Sequence, residues 1–160
     1  MSEKLSSQTP TTVLFACVHN AGRSQMAAAW LGALADPQRV QAISAGTAPS
    51  ERVHPVVVEA MREVGIELGA VKPQLLSREL ASRASLLITM GCGEACPNLP
   101  GLRYEDWPLP DPKDQSLASV RAINAGTSPV DPALVEAFWQ RYDIPILIAE
   151  EATIEEEVSA

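Results

Sequence analysis

The chain has 160 residues, enough for one domain with a sizeable hydrophobic core. Its formal net charge of −8 argues against nucleic acid and anionic membranes as partners, because both bind basic surfaces. The chain has no apolar run of membrane-spanning length and no apolar signal-peptide core near Met1, so we expect a cytoplasmic protein without a membrane partner.

Strand-like apolar stretches alternate with helical stretches along the chain. The predicted strands cover residues 12–17, 40–45, 85–90 and 102–107, of which the last looks like a short edge strand. The predicted helices cover residues 23–35, 55–64, 77–81 and 114–124, with a further helical piece at about 131–142. This alternation predicts an α/β fold: a doubly wound, mainly parallel four-stranded sheet flanked by helices.

We expect one catalytic domain over residues 11–149. A polar, flexible arm at 1–10 precedes it, and an acidic, disordered tail at 150–160 follows it. In open α/β sheets, ligands bind beyond the carboxyl ends of the strands. Cys17 and the loop after Met90 both follow predicted strands, so we expect them to share one site.

The segment 17–24, Cys-Val-His-Asn-Ala-Gly-Arg-Ser, follows the first predicted strand and leads into a helix. Successive amide groups of such a loop converge on an anion, and the helix dipole favours both the anion and a thiolate on Cys17. Arg23 can hold two oxygens of a tetrahedral anion with its planar fork, and Ser24 is placed to donate its hydroxyl to the sulfur. The predicted oxyanion-binding residues are Val18, His19, Asn20, Ala21, Gly22, Arg23 and Ser24.

The spacing of Cys17 and Arg23 is a weak signal by itself, and the context of strand, loop and helix strengthens it. The alternative is a buried cysteine that closes a strand, with Arg23 in solvent. Asn20 is predicted to hold the loop in shape, because Asn tolerates unusual backbone angles and bonds locally. Ser44, near the end of the second strand, is predicted to support Asn20. His19 either favours the thiolate or points to solvent.

Cys92 and Cys96 form a second group of thiols. Residues four apart on a helical turn have α-carbons about 6 Å apart, which is within the range of a disulfide. The neighbouring glycines, 91 and 93, would let the segment rearrange. The alternative is two unrelated loop thiols. The cysteines and the two histidines lack the paired spacings of zinc ligands, so we expect no metal and no other cofactor.

Asp111 follows a rigid stretch with two prolines, residues 107–110, and precedes Pro112. Such a stretch can hold a carboxyl group over the pocket, where a general acid would protonate a departing oxygen. The alternative is a turn-forming Asp-Pro pair. Asp106 is interpreted as a structural hydrogen-bond acceptor, and His54 as a residue at the start of a helix.

Several of these motifs occur together in one known family. The chain resembles the low-molecular-weight protein tyrosine phosphatases, and more closely their arsenate reductase branch, over about residues 11–124. The matching segments are 17–24, 44–47 with Pro49, 64–66, 89–92, 105–107 and 111–112. The chain departs from the family pattern after residue 125, where a Gly-Thr-Ser-Pro segment interrupts the expected last helix.

The resemblance implies an arsenate reductase in which Cys17 is the nucleophile and Asp111 the general acid. It implies that Cys92 and Cys96 relay electrons, with arsenate as substrate and arsenite as product. Thioredoxin would then reduce a surface-accessible Cys92–Cys96 disulfide. Other relatives use a low-molecular-weight thiol or glutaredoxin instead, so the donor stays open. The alternatives are a phosphatase that forms a phospho-Cys17 intermediate, and a non-enzymatic module that binds anions or senses redox state.

Overall fold

The computed structural model of the chain describes residues 9–92, 96, 99–107 and 109–121. Its elements in chain order are β1 (Thr11–Cys17), α1 (Arg23–Leu34), β2 (Val40–Gly46), α2 (Pro55–Glu63), α3 (Arg78–Ser82), β3 (Leu86–Thr89) and β4 (Arg103–Asp106). Residues 117–121 are also helical. The helical piece predicted at 131–142, the acidic tail at 150–160 and all but the last two residues of the arm at 1–10 lie outside the described residues.

The four strands form one sheet in the order β2-β1-β3-β4, and each neighbouring pair is parallel. The predicted α/β fold with a parallel four-stranded sheet is confirmed, and β4 lies at its edge. The register pairs Cys17 with Gly46 on one side of β1 and Ala16 with Thr89 on the other. The carboxyl ends of these strands therefore meet at the same edge of the sheet, where the predicted site residues follow them.

The predicted start of the last described helix is wrong by three residues. We expected a helix from residue 114, whereas helical backbone begins at 117. Asp114 has a φ of 58°, in the left-handed region, which a right-handed helix cannot include. The helix predicted at 77–81 is shifted by one residue, since α3 covers Arg78–Ser82. Ser77 is its N-cap, and the Ser77 hydroxyl oxygen accepts the N–H of Leu80 at 3.0 Å.

The core lies on both faces of β1, which explains why this strand reads as a continuous apolar run. Val13 and Phe15 pack in one cluster of buried residues, and Leu14 and Ala16 pack in another. Trp107, just after β4, adds a tilted ring contact with Phe15 at a centroid distance of 6.0 Å. The resulting rigid strand holds the residue at its end in a fixed place.

Candidate active site

Cys17 is the last residue of β1, and its side chain is buried with only 2% of its surface exposed. The loop that follows is attached to the segment after β2 by backbone hydrogen bonds. Three loop carbonyls accept N–H groups from this segment: Val18 from Ala48 at 2.8 Å, His19 from Ser50 at 2.9 Å and Ala21 from His54 at 2.9 Å. In a trans peptide the next N–H points the opposite way, so the amides that follow these carbonyls face away from the attached segment.

Asn20 is fully buried at the centre of the loop, with a φ of 49°. Its Oδ1 accepts hydrogen bonds from the Nε2 of Gln25 at 3.1 Å and the backbone N–H of Gln74 at 2.9 Å. These two donors fix the amide orientation, so its Nδ2 donates to the Oγ of Ser24 at 2.8 Å. Because this bond uses a lone pair of the Ser24 oxygen, the Ser24 hydroxyl can donate its proton to the Sγ of Cys17, which lies 2.9 Å away.

Gln25 and Gln74 are residues of this network that the sequence did not indicate. Gln74 lies 54 positions from Asn20, and no motif links the two. Gln25 lies on α1, directly after the loop, and it is buried. A polar residue among the apolar residues of this helix was the signal that could have identified it. Ser44 reaches Asn20 only through Gln74, whose side-chain Nε2 donates to the Ser44 carbonyl at 2.8 Å.

Arg23 begins α1, and its guanidinium is buried beside the segment that carries Asp111. Its Nη1 donates to the carbonyl of Leu109 at 3.0 Å, and its Nη2 lies 3.7 Å from the Oδ2 of Asp111. The Asp111 side chain is 43% exposed, so the carboxyl group faces both the guanidinium and solvent. The structure thus brings together Arg23 and Asp111, which are far apart in the sequence.

Pro112 holds the Asp111 segment against the anion loop. It is buried, and a Cβ on Gly22 would overlap its ring. Asp111 also accepts the N–H of Lys113 at 2.9 Å, as a turn-forming aspartate does. This hydrogen bond is compatible with a carboxyl group near the loop, so the two interpretations of Asp111 do not exclude each other. Asp106 instead accepts the hydroxyl of Thr89 at 2.7 Å, which suits a structural acceptor.

Cys92 and Cys96 are joined in a disulfide, with α-carbons 5.8 Å apart. Both residues are buried, with exposed fractions of 6% and 8%, in a cluster that includes Leu76 and Leu87. We expected this disulfide at the surface, and that expectation is wrong because apolar side chains cover it. The Sγ of Cys92 lies 4.0 Å from the carbonyl oxygen of Ala16, the residue before Cys17.

Two histidines lie near the loop. The Nδ1 of His19 is 3.2 Å from the Ala48 carbonyl. His54 precedes the first residue of α2, and burial lowers the pKa of its imidazole below 6.5, whereas the neighbouring Asp111 carboxylate acts to raise it. A Cβ placed on Gly22 would be 3.7 Å from the His54 ring. His54 therefore lines the loop as well as starting a helix.

Two further properties concern the described residues as a whole. In this part of the chain, His, Cys, Asp and Glu form no group of three or more that could hold a metal ion. Every helix described is too short or too polar to cross a lipid bilayer.

Comparison with known proteins finds relatives of similar sequence and similar fold. An arsenate reductase of Staphylococcus aureus (strain Newman) is 35% identical over 120 residues, which cover 72% of this chain and 88% of that protein. The structure of a thioredoxin-dependent arsenate reductase from Corynebacterium glutamicum is similar with a TM-score of 0.67 and 33% identity, covering 86% of this chain and 64% of that longer chain. The structure of an arsenate reductase in the phosphate binding state matches with a TM-score of 0.65 and 30% identity, over 82% of this chain and 98% of that one.

The family assignment rests on the parallel sheet, the loop between β1 and α1, and a match that covers most of the chain. The family model for low molecular weight phosphotyrosine protein phosphatase matches residues 12–128. This range contains the whole sheet except Thr11, the first residue of β1, and it contains every predicted site residue. The chain belongs to the low molecular weight phosphotyrosine protein phosphatase family.

Proposed function

We propose that the chain is an arsenate reductase in which three cysteines pass electrons to arsenate. The observation that carries the proposal is the position of the thiol pair: Cys92 lies beside Ala16, next to Cys17 in the chain, and is paired with Cys96. A phosphatase needs the anion loop and an acid, but it has no use for a redox-active pair at this place. The names of the relatives, arsenate reductases with 30–35% identity, support the same reaction.

Arsenate binds in the loop 18–24, where the amides and the Arg23 guanidinium hold its oxygens. The Cys17 thiolate attacks arsenic and forms a sulfur–arsenic bond. One arsenic–oxygen bond breaks, and Asp111 protonates the departing oxygen, which leaves as water. The hydrogen bond from Ser24 stabilises the thiolate before attack. No electrons are transferred to arsenic in this step.

Reduction takes place in the second step. The Cys92 thiolate attacks the sulfur of Cys17, so that a Cys17–Cys92 disulfide forms and the sulfur–arsenic bond breaks. The electron pair of that bond stays on arsenic, which leaves as arsenite. The Cys96 thiolate then attacks the sulfur of Cys92 and releases Cys17 as a thiolate. The product is a Cys92–Cys96 disulfide, the pairing seen in the structure.

We propose thioredoxin as the reductant, and the cytoplasm as the place of reaction because thioredoxin keeps thiols reduced there. The C. glutamicum relative, which is named as thioredoxin-dependent, supports this choice. Both sulfurs are buried, so they have to become accessible before another thiol can attack. Glutaredoxin or a low-molecular-weight thiol is the alternative donor.

A phosphatase for tyrosine phosphate or small phosphoesters is the second candidate, favoured by the family model itself. Water would hydrolyse a phospho-Cys17 intermediate, with the same loop and the same acid. Aromatic residues make up only 4% of the chain, so a stacking wall for a phenyl ring is not evident. A module that only binds anions is disfavoured, because a carboxyl group beside Arg23 serves catalysis rather than binding.

Two assays in parallel test the proposal: arsenate with thioredoxin, thioredoxin reductase and NADPH, and an aryl phosphate alone. We expect arsenate-dependent NADPH oxidation that Cys17→Ser abolishes. Thiol mapping after one equivalent of arsenate should recover a disulfide that joins Cys92 to Cys96. Aryl phosphate hydrolysis without any arsenate reduction would identify a phosphatase and contradict the proposal.

A further inference from the structure

Gly91 contacts the guanidinium that the anion loop uses. A Cβ built on Gly91 would lie 2.5 Å from the Nη1 of Arg23 and 3.8 Å from the carbonyl oxygen of Leu109. The same Nη1 donates its hydrogen bond to Leu109 at 3.0 Å. The guanidinium is therefore enclosed by the bare backbone of Gly91 and by the Leu109 carbonyl, with the Asp111 carboxylate on the side of its other nitrogen.

Two separate requirements exclude a side chain at this position. The φ of Gly91 is 84°, a backbone conformation that L-residues rarely adopt. The contact with Arg23 is the second requirement. Gly65 and Gly101 have a φ of 83° as well, but a Cβ on either would meet nothing within 4 Å. Among the described glycines with positive φ, Gly91 alone combines the backbone requirement with close contact to a functional side chain.

Arg23 cannot simply move aside to make room. Its side chain is only 7% exposed, and the Leu109 carbonyl holds its Nη1. A methyl group at residue 91 would therefore displace the guanidinium, rotate it out of plane or break the bond to Leu109. Because bidentate binding of an oxyanion depends on the orientation of the planar fork, each of these changes weakens binding.

We propose that Gly91 is a positioning residue for oxyanion binding: its side-chain-free backbone sets the place of the Arg23 guanidinium over the loop 17–24. Gly91 also precedes Cys92 directly, so the segment that carries the relay thiol forms one wall of the guanidinium site. The inference rests on the proposed function for the identity of the substrate, but the contact can be tested with phosphate alone.

The experiment compares Gly91→Ala with Gly101→Ala in the full-length, thiol-reduced protein. Both variants place alanine at a positive φ, and only the first meets Arg23. We expect Gly91→Ala to raise the Kd of inorganic phosphate and the KM for arsenate about tenfold, as for a misaligned charge-assisted hydrogen bond, and Gly101→Ala to change them less than about twofold. An unchanged phosphate Kd in folded Gly91→Ala would overturn the proposal.

A stability cycle decides the case in which Gly91→Ala folds poorly. In the Arg23→Ala background the steric conflict is gone, and only the backbone requirement remains. The loss in Tm caused by Gly91→Ala should therefore be smaller in that background, or folding should be restored, while the loss caused by Gly101→Ala should be the same in both. If Gly91→Ala lowered the Tm equally in both backgrounds, a steric conflict between residue 91 and Arg23 would be refuted. If the wild-type protein binds phosphate but reduces no arsenate, the proposed function fails while these tests of Gly91 still stand.

Discussion

The anion loop, residues 17–24, and three residues outside it, the relay thiols Cys92 and Cys96 and the acid Asp111, are held in different ways. In the loop, Asn20 and Ser24 are completely buried, and hydrogen bonds join their side chains to each other and to neighbouring segments. The residues outside the loop have different surroundings: Cys92 and Cys96 lie in a cluster of apolar side chains, and Asp111 lies near the surface.

The difference corresponds to what each region has to do. An oxyanion site needs donors that stay in place, and a satisfied buried network provides them because each broken bond leaves a buried polar group unpaired. A relay thiol must reach two partners in turn. Apolar packing around the two sulfurs tolerates such movement better than a hydrogen-bonded network does, because it is non-directional.

Removal of the first relay thiol should have the largest effect. We expect Cys92→Ser to lower multiple-turnover arsenate reduction with thioredoxin by at least about a thousandfold, because Cys92 is the thiol that attacks the sulfur of Cys17. Cys96→Ser is the matched control: it should release about one arsenite per protein and accumulate a Cys17–Cys92 disulfide, visible in peptide mapping. Full turnover by Cys92→Ser would contradict the role of Cys92 in the relay.

Neutralising the acid should have the next largest effect. We expect Asp111→Asn to lower kcat about a hundredfold, since no group would protonate the departing oxygen. The Kd of phosphate should not rise, because Arg23 loses a competing carboxylate. Asp106→Asn is the control, since Asp106 accepts a hydrogen bond from Thr89. Equal losses of kcat in the two variants would argue against the acid role of Asp111.

Disruption of the hydrogen-bond network around Asn20 tests whether this network stabilises the anion loop. Asn20→Ala removes the bonds to Ser24, Gln25 and Gln74 and places alanine at a φ of 49°. We expect the free energy of unfolding to fall by about 1–3 kcal/mol, with weaker phosphate binding. Ser82→Ala, which removes an exposed hydrogen bond, should cost far less in the same urea titration. Similar losses would mean that the network does not stabilise the loop.

The smallest effect concerns pH and His54. Because burial lowers its folded-state pKa below 6.5, the unfolded chain takes up the proton first as the pH falls. Stability from this group is present above about pH 6.5 and is lost as the pH falls through the folded pKa. His54→Asn removes this loss, so the stability difference between wild type and variant should change between about pH 7.5 and 5.5. The groups that act on His54 are Asp111, His19, Lys113 and Asp114. A difference that is independent of pH would contradict this.

The sequence alone determined the α/β sheet, the loop after the first strand and the residues that the loop contains. These features depend on local patterns: apolar strands, a glycine and asparagine in a short loop, and a helix after it. For Cys92 and Cys96 the sequence left two alternatives, a pair within disulfide range and two unrelated loop thiols, and the structure shows the pair.

Only the tertiary structure decided which distant residues complete the site. Gln74 reaches Asn20, and Leu109 reaches Arg23, through contacts between segments that are 54 and 86 residues apart in the chain. The burial of the disulfide was likewise decided by packing, since it lies in one buried cluster with Leu14 of β1 and Leu76 of the segment before α3. Local patterns carry no information on such contacts, because they depend on how separate segments pack around one sheet edge.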